Sequence, residues 1–506
     1  MEEEKLRGLP SSKRTPRSLK VSASAAVFVL FLIIVLSGCI ISGLDIFIFP
    51  GGSLREVFNV NKSPENSMWL YQKIKYPLNC TNATKLQTCP TDYPATFQPT
   101  DLYAMECPEY FRWIHEDLQT WKSTGITKEM VERTRGLAHY RLVILKGRIY
   151  VEHFGRPYQT RDVGTIWGIV QLLRLYPGKI PDLELMFYCN DQPVIMKSDY
   201  QGPNATSPPP LFRFCGNQSA FDITFPDWSF WGWAEINIGP WESTVRAIRQ
   251  NSERIKWNDK VPYAYWKGNT GVAATRRDLM RCNGQDWKAH LYQQDWSREA
   301  RQGFKQSKLE DQCTHRYKIY VEGEAWSVSE KYIMACNSMT LMVKPEFLDF
   351  FTRGMIPLEH YWPIRPDNKC RDIKFAVEWG NNHPQEAQVI GDSGSKFMEE
   401  GLKMKNVYDY MFHLLTGYGK LLTYKPEIPP GAIEYCTETM ACPAKGLFRK
   451  NMLESMVKSP SDSLPCTLPP PYEPGELQAF LERKEGVSRQ VERWEAEYWE
   501  KMNKNR

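Results

Sequence analysis

The residue with the clearest chemical potential is Asp191. The run Leu183 to Cys189 (LELMFYC) is short and apolar, and Asn190-Asp191-Gln192-Pro193 breaks it at once. That spacing puts the Asp191 carboxylate just past the carboxyl end of a predicted strand. Ligands of open α/β sheets gather at that end. A carboxylate there can take the proton of an attacking hydroxyl; the plainer reading is an Asp that caps its own loop.

Two later units repeat one pattern. In the first, Val261 to Trp266 reads as a strand, Lys267-Gly268-Asn269-Thr270-Gly271 as a loop, and Val272 to Arg281 as a helix. In the second, Tyr317 to Val321 is the strand, Glu322-Gly323-Glu324-Ala325-Trp326 the loop, and Ser327 to Cys336 the helix. Glycine lets a backbone approach a pyrophosphate, and a helix start offers free N–H groups and a favourable dipole to anions. Neither loop carries a full dinucleotide or P-loop fingerprint, so ordinary α/β packing stands beside the nucleotide reading. Between Asp191 and these units, Phe225 to Trp241 carries four tryptophans in an irregular segment whose flat rings suit sugar faces or a core.

The elements around these residues follow from pattern. Arg141 to Phe154 reads as a hairpin turning at Lys146-Gly147. Val163 to Tyr176 has helical spacing and stops at Pro177-Gly178. Gln201 to Pro210 reads as a surface loop. Leu341 to Lys344 is a further strand, and Phe351 to Ile364 runs extended. Pro384 to Val389, Ser393 to Leu402 and Val407 to Leu422 have helical character. Glu476 to Arg506 is a charged helix with a sparse apolar stripe, which either docks or dangles.

Val21 to Leu44 contains no charged residue and as a helix spans roughly 36 Å, against roughly 30 Å of hydrocarbon. Lys13, Arg14, Arg17 and Lys20 precede it, which keeps the N-terminus cytosolic and sends the bulk of the chain to the lumen. A cleaved signal peptide is the alternative, but the apolar run exceeds the usual length of its core. With Cys39 in the anchor, an even set of twelve cysteines follows it, pointing to disulfides of undetermined connectivity. Acceptor triplets at Asn61, Asn79, Asn82, Asn204 and Asn217 are lumenal on the same reading. The net charge of +5 on 506 residues is too mild and dispersed for a nucleic-acid surface.

The boundaries that result are a cytosolic tail 1–20, an anchor 21–44, a stem 45–115, an N-terminal domain 116–255 holding Asp191, a C-terminal domain 256–425 holding the glycine loops, and a Pro-rich segment with its helix at 426–506.

Five blocks in order now carry a resemblance: DLQTWKSTGIT from Asp117, ELMFYCNDQP from Glu184, FPDWSFWGW from Phe225, YWKGNTGVAATRRDLM from Tyr265 and HRYKIYVEGEAWSVSEKYIMACNS from His315. The chain resembles glycosyltransferase family 90, the Rumi-type protein O-glucosyltransferases and their capsule xylosyltransferase relatives, in a plant-type, membrane-anchored layout. The resemblance implies an α/β, GT-B-like fold: two Rossmann-like domains facing across a cleft. It implies an inverting transfer of glucose or xylose from UDP-glucose or UDP-xylose to a protein or glycan hydroxyl, with Asp191 as base and no cofactor or metal. The chain has no D-x-D triplet of the kind that holds a divalent ion on a nucleotide. Nucleotide-sugar contacts then fall to Lys267, Gly268, Arg276, Arg277, Gly323, Glu324, Ala325, Trp326, Ser327 and Lys331, although each cation alone also reads as a solvated surface charge. Trp228, Ser229, Phe230 and Trp231 match the block that touches donor and acceptor.

Three departures limit the transfer of detail. The sequence ends EKMNKNR without a KDEL-like signal, which with the anchor points to the Golgi membrane, the endoplasmic reticulum membrane being the alternative. The loop after Gly268 reads NTG where animal relatives carry an arginine, so a phosphate contact passes to a residue such as Arg276. The Pro-rich insertion near Asn204 and the long C-terminal helix have no counterpart. Two other classes compete with transfer. One is a catalytically silent lumenal sugar-binding or scaffold protein of the same fold. The other is a glycoside hydrolase, which needs a carboxylate pair that the sequence does not reveal.

Overall fold

The hairpin forms where its turn residues demand it. β1 (Tyr140–Leu145) and β2 (Arg148–His153) pair antiparallel with Leu145 opposite Arg148, and Lys146 and Gly147 turn the chain with φ of 49° and 73°. Two successive positive φ angles match the right-handed twist of the flanking strands. The structure is a computed structural model that describes residues 75–80, 89–90, 96–202 and 206–504. The predicted anchor Val21 to Leu44 lies outside these residues, as do Asn61, Asn82 and Asn204. Among the described residues no helix is long and apolar enough to cross a membrane.

Two sheets organise a mixed α/β architecture. The first continues through β3 (Leu183–Phe187), β4 (Phe212–Arg213) and β5 (Ile223–Thr224). The second comprises β6 (Val261–Gly268), β7 (Ala289–Gln293), β8 (His315–Tyr320), β9 (Met339–Val343) and β10 (Trp362–Ile364). A late strand, β11 (Ile433–Tyr435), returns to the edge of the first sheet, whose order is β11-β2-β1-β3-β4-β5. The pairs β11–β2, β2–β1 and β1–β3 are antiparallel, and only β3–β4 and β4–β5 are parallel. It therefore departs from the parallel sheet of a Rossmann-like unit, because a two-residue turn can join only antiparallel strands. The second sheet, β10-β9-β8-β6-β7, is parallel throughout. Its β9 is buried along its whole length, as a strand covered on both faces must be.

Helices fill the faces. Arg161–Leu175 links β2 to β3, and Met404–Leu421 packs against both that helix and β3. The two short helices expected between Pro384 and Leu402 are one helix, Pro384–Lys396, extended by a π turn at Phe397–Gly401. Lys369–Asn382 is a helix that the sequence pattern did not reveal. The C-terminal helix Glu476–Lys504 docks along its stripe: Leu477, Phe480 and Leu481 pack on the larger core, while Val491, Trp494 and Tyr498 pack on the core of the second sheet.

Packing begins earlier than the expected stem allows, since Phe97, Tyr110, Phe111 and Ile114 are buried in the larger core. Disulfides fasten that early segment to the C-terminal one: Cys80–Cys442, Cys89–Cys436 and Cys107–Cys466. Cys282–Cys370 and Cys313–Cys336 lie around the second sheet. The even set of twelve cysteines is thus not fully paired. Cys189 and Cys215 remain buried thiols just beyond β3 and β4. The expected surface loop before β4 is also corrected in part: Pro208 to Pro210 are buried, and Pro208 accepts a hydrogen bond from the Trp121 indole at 2.8 Å.

Candidate active site

Asp191 occupies the loop that leaves β3, and that loop is pinned from several sides. The Arg161 guanidinium, at the start of the Arg161–Leu175 helix, donates from Nη1 to Asp191 Oδ1 at 2.8 Å and to the Cys189 carbonyl at 3.1 Å. Arg213, buried in β4, donates to the Asn190 carbonyl at 2.7 Å. The Cys215 thiol donates to the Asp191 carbonyl at 3.2 Å. Asp222 accepts from the Val194 and Ile195 amides and lies 3.6 Å from Arg213 Nε. Burial pushes the Asp222 carboxyl above its ordinary range against the pull of Arg213, and it pushes the Cys215 thiol up as well. The carboxylate of Asp191 is 32 % exposed, and its Oδ2 makes no hydrogen bond among the described residues. One oxygen is oriented and the other is open, as a general base needs.

The two glycine turns sit side by side, joined by Arg276. From the Ala274–Leu279 helix its Nε donates to the Glu322 carbonyl at 2.8 Å. Nη1 donates to the Asn269 carbonyl at 3.3 Å, and Nη2 donates to the Val321 carbonyl at 3.3 Å and the Ser327 hydroxyl at 3.0 Å. Among the described residues no carboxylate lies within salt-bridge distance of this buried guanidinium, and desolvation lowers its pKa. The turn beyond β8 closes tightly, the Gly323 amide donating to the Ala325 carbonyl at 2.9 Å. The Asp191 loop meets this turn directly, because the Gln192 amide nitrogen donates to the Glu324 carbonyl at 3.2 Å. Asp191 and both glycine turns therefore share one region, at the carboxyl ends of β3, β6 and β8.

The remaining predicted residues divide. Lys267, at the end of β6, donates to the Gln306 carbonyl and is partly exposed. Arg277 is exposed and, among the described residues, donates a hydrogen bond only to the Gly271 carbonyl, at 3.4 Å. Lys331 is 1 % exposed, and its ammonium is 3.0 Å from Asp227, whose side chain is fully buried. It also lies 4.6 Å from the centre of the Phe230 ring. Lys331 is thus committed to an interior ion pair, away from solvent. Beside it Asp349 is pushed well above its ordinary range by burial, and Glu330 is pushed up to about 8 for the same reason.

Trp228, Ser229, Phe230 and Trp231 form a short 3-10 turn that is buried throughout. Asp227 caps it, accepting from the Ser229 amide at 2.7 Å. The turn lies against the Arg161–Leu175 helix, where a Cβ at Gly168 would stand 2.3 Å from the Trp231 ring. Trp231 donates to Tyr408 at 2.9 Å. Trp228 packs edge-on against Trp326, with ring centres 6.2 Å apart, and the Arg161 guanidinium lies over the Trp228 ring at 4.5 Å. The block therefore packs against Arg161, the partner of Asp191. Both expected helix starts are weaker than the sequence suggests, since the helices Ala274–Leu279 and Ser329–Met334 have only 6 residues each. The charge of Arg276 thereby outweighs any dipole in this region.

Sequence reasoning missed Arg161, Arg213, Asp222 and Gln192. One signal was available: Arg213 stands in the middle of the apolar run Leu211 to Cys215, and a buried guanidinium requires partners. Of the predicted glycosylation sites, Asn79 is exposed and Asn217 is half-buried.

The profile described as Glycosyl transferase family 90 matches residues 103–495. The O-glucosyltransferase rumi homolog of Aedes aegypti is 27 % identical over 329 residues, covering 62 % of this chain and 78 % of that protein. Protein O-glucosyltransferase 1 of Bos taurus is 26 % identical over 63 % of this chain and 81 % of its own length. O-glucosyltransferase rumi of Drosophila melanogaster is 26 % identical over 68 % and 84 %. With that match spanning most of its length and enclosing Asp191 and both glycine turns, the chain belongs to glycosyl transferase family 90.

Proposed function

We propose that this protein transfers glucose or xylose from a UDP-sugar to a hydroxyl of a protein or glycan in the lumen of the secretory pathway, inverting the anomeric carbon without a metal ion. The observation that carries this reading is the meeting of the Asp191 loop with the glycine turns through Gln192 and Glu324, while Arg276 ties the two turns together. The two sheets, with their loops at a common edge, support a GT-B-like arrangement of donor and acceptor sides. The names of the O-glucosyltransferase relatives support glucose as donor sugar. Five disulfides support the lumenal address.

In this mechanism Oδ2 of Asp191 accepts the proton of the acceptor hydroxyl as its oxygen bonds to the anomeric carbon. The bond from that carbon to the diphosphate breaks on the opposite face, and UDP leaves with its charge matched by Arg276. Arg161 holds Oδ1 so that the open oxygen keeps its aim.

The test is UDP release from a panel of UDP-sugars in the presence of EDTA, using a fragment that begins at residue 50. One donor is expected to give EDTA-resistant release, and Asp191→Asn to lower it at least about a hundredfold, the usual worth of a positioned base. An undiminished rate in a folded Asp191→Asn protein removes Asp191 from this role. No release with any donor favours the silent sugar-binding protein, and free sugar from a synthetic glycoside without nucleotide favours a hydrolase.

A further inference from the structure

A cavity of about 750 Å³, whose wall does not include Asp191, lies between the C-terminal helix Glu476–Lys504, the β9–β10 edge of the second sheet and the loop that follows β4. That size is typical of a ligand site, for which roughly 300–1,000 Å³ is usual. Phe221 and Tyr361 supply flat apolar faces, and Leu477, Leu481 and Ser488 line it from the helix. The guanidinium groups in its wall are already committed. Arg353 holds Asp117, and Arg365 holds Asp372 and Glu495. The exposed carboxylates of Glu482, which accepts from Gln478 at 2.8 Å, and of Glu485, 3.6 Å from Lys344, each keep a second oxygen for a further donor. Aromatic faces with carboxylate acceptors suit an uncharged, hydroxyl-rich ligand with apolar C–H edges.

Asn217 of the triplet Asn217-Gln218-Ser219 stands in the wall of this same cavity. Its Oδ1 accepts from the Ser219 amide at 3.0 Å, and its Nδ2 has no partner among the described residues. Nδ2 is the atom that an N-glycan uses. A Gly216–Leu348 bridge, with hydrogen bonds of 3.0 and 2.9 Å, fixes the loop to the segment after β9. The first sugars on Asn217 therefore have a defined place beside them, walled by the C-terminal helix, most of which lies inside the family match to residue 495.

We propose that the cavity holds the inner sugars of an N-glycan carried by Asn217, so that the glycan joins the C-terminal helix to the body of the protein. The transfer takes an oligosaccharide from a lipid diphosphate. A bond forms between Nδ2 and the anomeric carbon of the first sugar, the bond from that carbon to the diphosphate breaks, Nδ2 loses a proton, and the lipid diphosphate leaves. Addition to the entering chain precedes the folding that closes the cavity. The inference rests on the lumenal address of the proposed function and is independent of sugar transfer by this protein.

The test uses the full chain made in a eukaryotic secretory host, with exposed Asn79 as the internal comparison. Glycopeptide mass spectrometry is expected to find both Asn79 and Asn217 modified. Under native conditions peptide-N-glycosidase F is expected to release the Asn79 glycan at least about tenfold faster than that of Asn217, with the difference lost on denaturation. Ser219→Ala abolishes the triplet but keeps Asn217 and its turn. Amide hydrogen exchange over residues 477–488 is expected to quicken about tenfold in that variant. A bare Asn217 beside a modified Asn79 overturns the proposal. Equal release from the two sites, or unchanged exchange in Ser219→Ala, also overturns it and leaves the cavity to an acceptor chain. Both sites bare overturns the lumenal address and the proposal with it.

Discussion

Lys331→Met separates two roles that a lysine in this position can have. The ammonium is 3.0 Å from Asp227 with both side chains out of solvent. Removing one partner of a buried pair typically costs about 3–5 kcal/mol, because the other charge is left uncompensated. Asp349 and Glu330 are held in their neutral, protonated forms by burial, so the charge left uncompensated is that of Asp227 alone. Asp227→Asn/Lys331→Met removes both charges, and the Asn side-chain oxygen can still accept from the Ser229 amide. Such neutral replacements are often close to neutral in stability, so the double variant should recover at least about half of the loss. Guanidinium unfolding followed by tryptophan fluorescence measures all the proteins, and nucleotide-sugar KM is read on each one that folds. A double variant as unstable as the single refutes the ion-pair argument. A single variant of unchanged stability whose KM rises more than tenfold refutes it too, and returns Lys331 to the nucleotide.

Gly168→Ala would bring a Cβ to within 2.3 Å of the Trp231 ring, an overpacking worth about 1–3 kcal/mol, visible as a lowered unfolding midpoint together with an altered tryptophan spectrum. Glu330 rises from 4.5 to about 8 on folding, so the stability it contributes is complete below about pH 4.5 and is lost as pH climbs toward 8. Glu330→Gln should flatten that slope, which amounts to roughly a few kcal/mol at about 1.4 kcal/mol per unit; an unchanged pH profile of the unfolding midpoint counts against it. If Asp191 is the base proposed above, Arg161→Lys should lower kcat far more than it raises donor KM, because it loosens the Asp191 carboxylate and leaves Arg276 in place; a change confined to KM would contradict this role.

What was legible in the sequence was local. The hairpin at Lys146-Gly147, the Arg161–Leu175 helix and β3 follow from turn chemistry and periodicity that neighbours do not override. The two strand–glycine–turn units were found for the same reason, although their helices shrank to one and a half turns each. Strands of two or three residues such as β4, β5 and β11 carry too few positions for any period to register, yet they complete the first sheet. The candidate site was half legible. Asp191 announced itself through the breaker after β3, but the groups that hold it, Arg161 and Arg213, come from a helix start and a strand far apart in the chain. Lys331 and the Trp228–Trp231 turn were legible as residue types and not as burial. A tryptophan beside glycines reads equally as a sugar platform or as a ring seated on Gly168, and only packing distinguishes the two.

Arg276 concentrates the argument about the leaving group. Four of its contacts go to neutral oxygens, three of them backbone carbonyls from the two turns, and no carboxylate balances its charge among the described residues. A buried cation in that condition is costly unless an anion arrives, and desolvation already depresses its pKa. On the proposed function a bound diphosphate would supply the missing charge, so UDP should raise the unfolding temperature in the presence of EDTA by mass action alone. Arg276→Lys keeps a positive charge but exchanges a planar fork for a single point donor, and it cannot span Asn269 and Ser327 together. Loss of one or two charge-assisted hydrogen bonds, each about 1.5–3 kcal/mol, predicts that the UDP-induced shift disappears at nucleotide concentrations that protect the parent protein. The outcome that breaks the reasoning is an Arg276→Lys protein that UDP stabilises as well as the parent, for then the charge beside the diphosphate comes from Lys267 or Arg277 at the exposed rim.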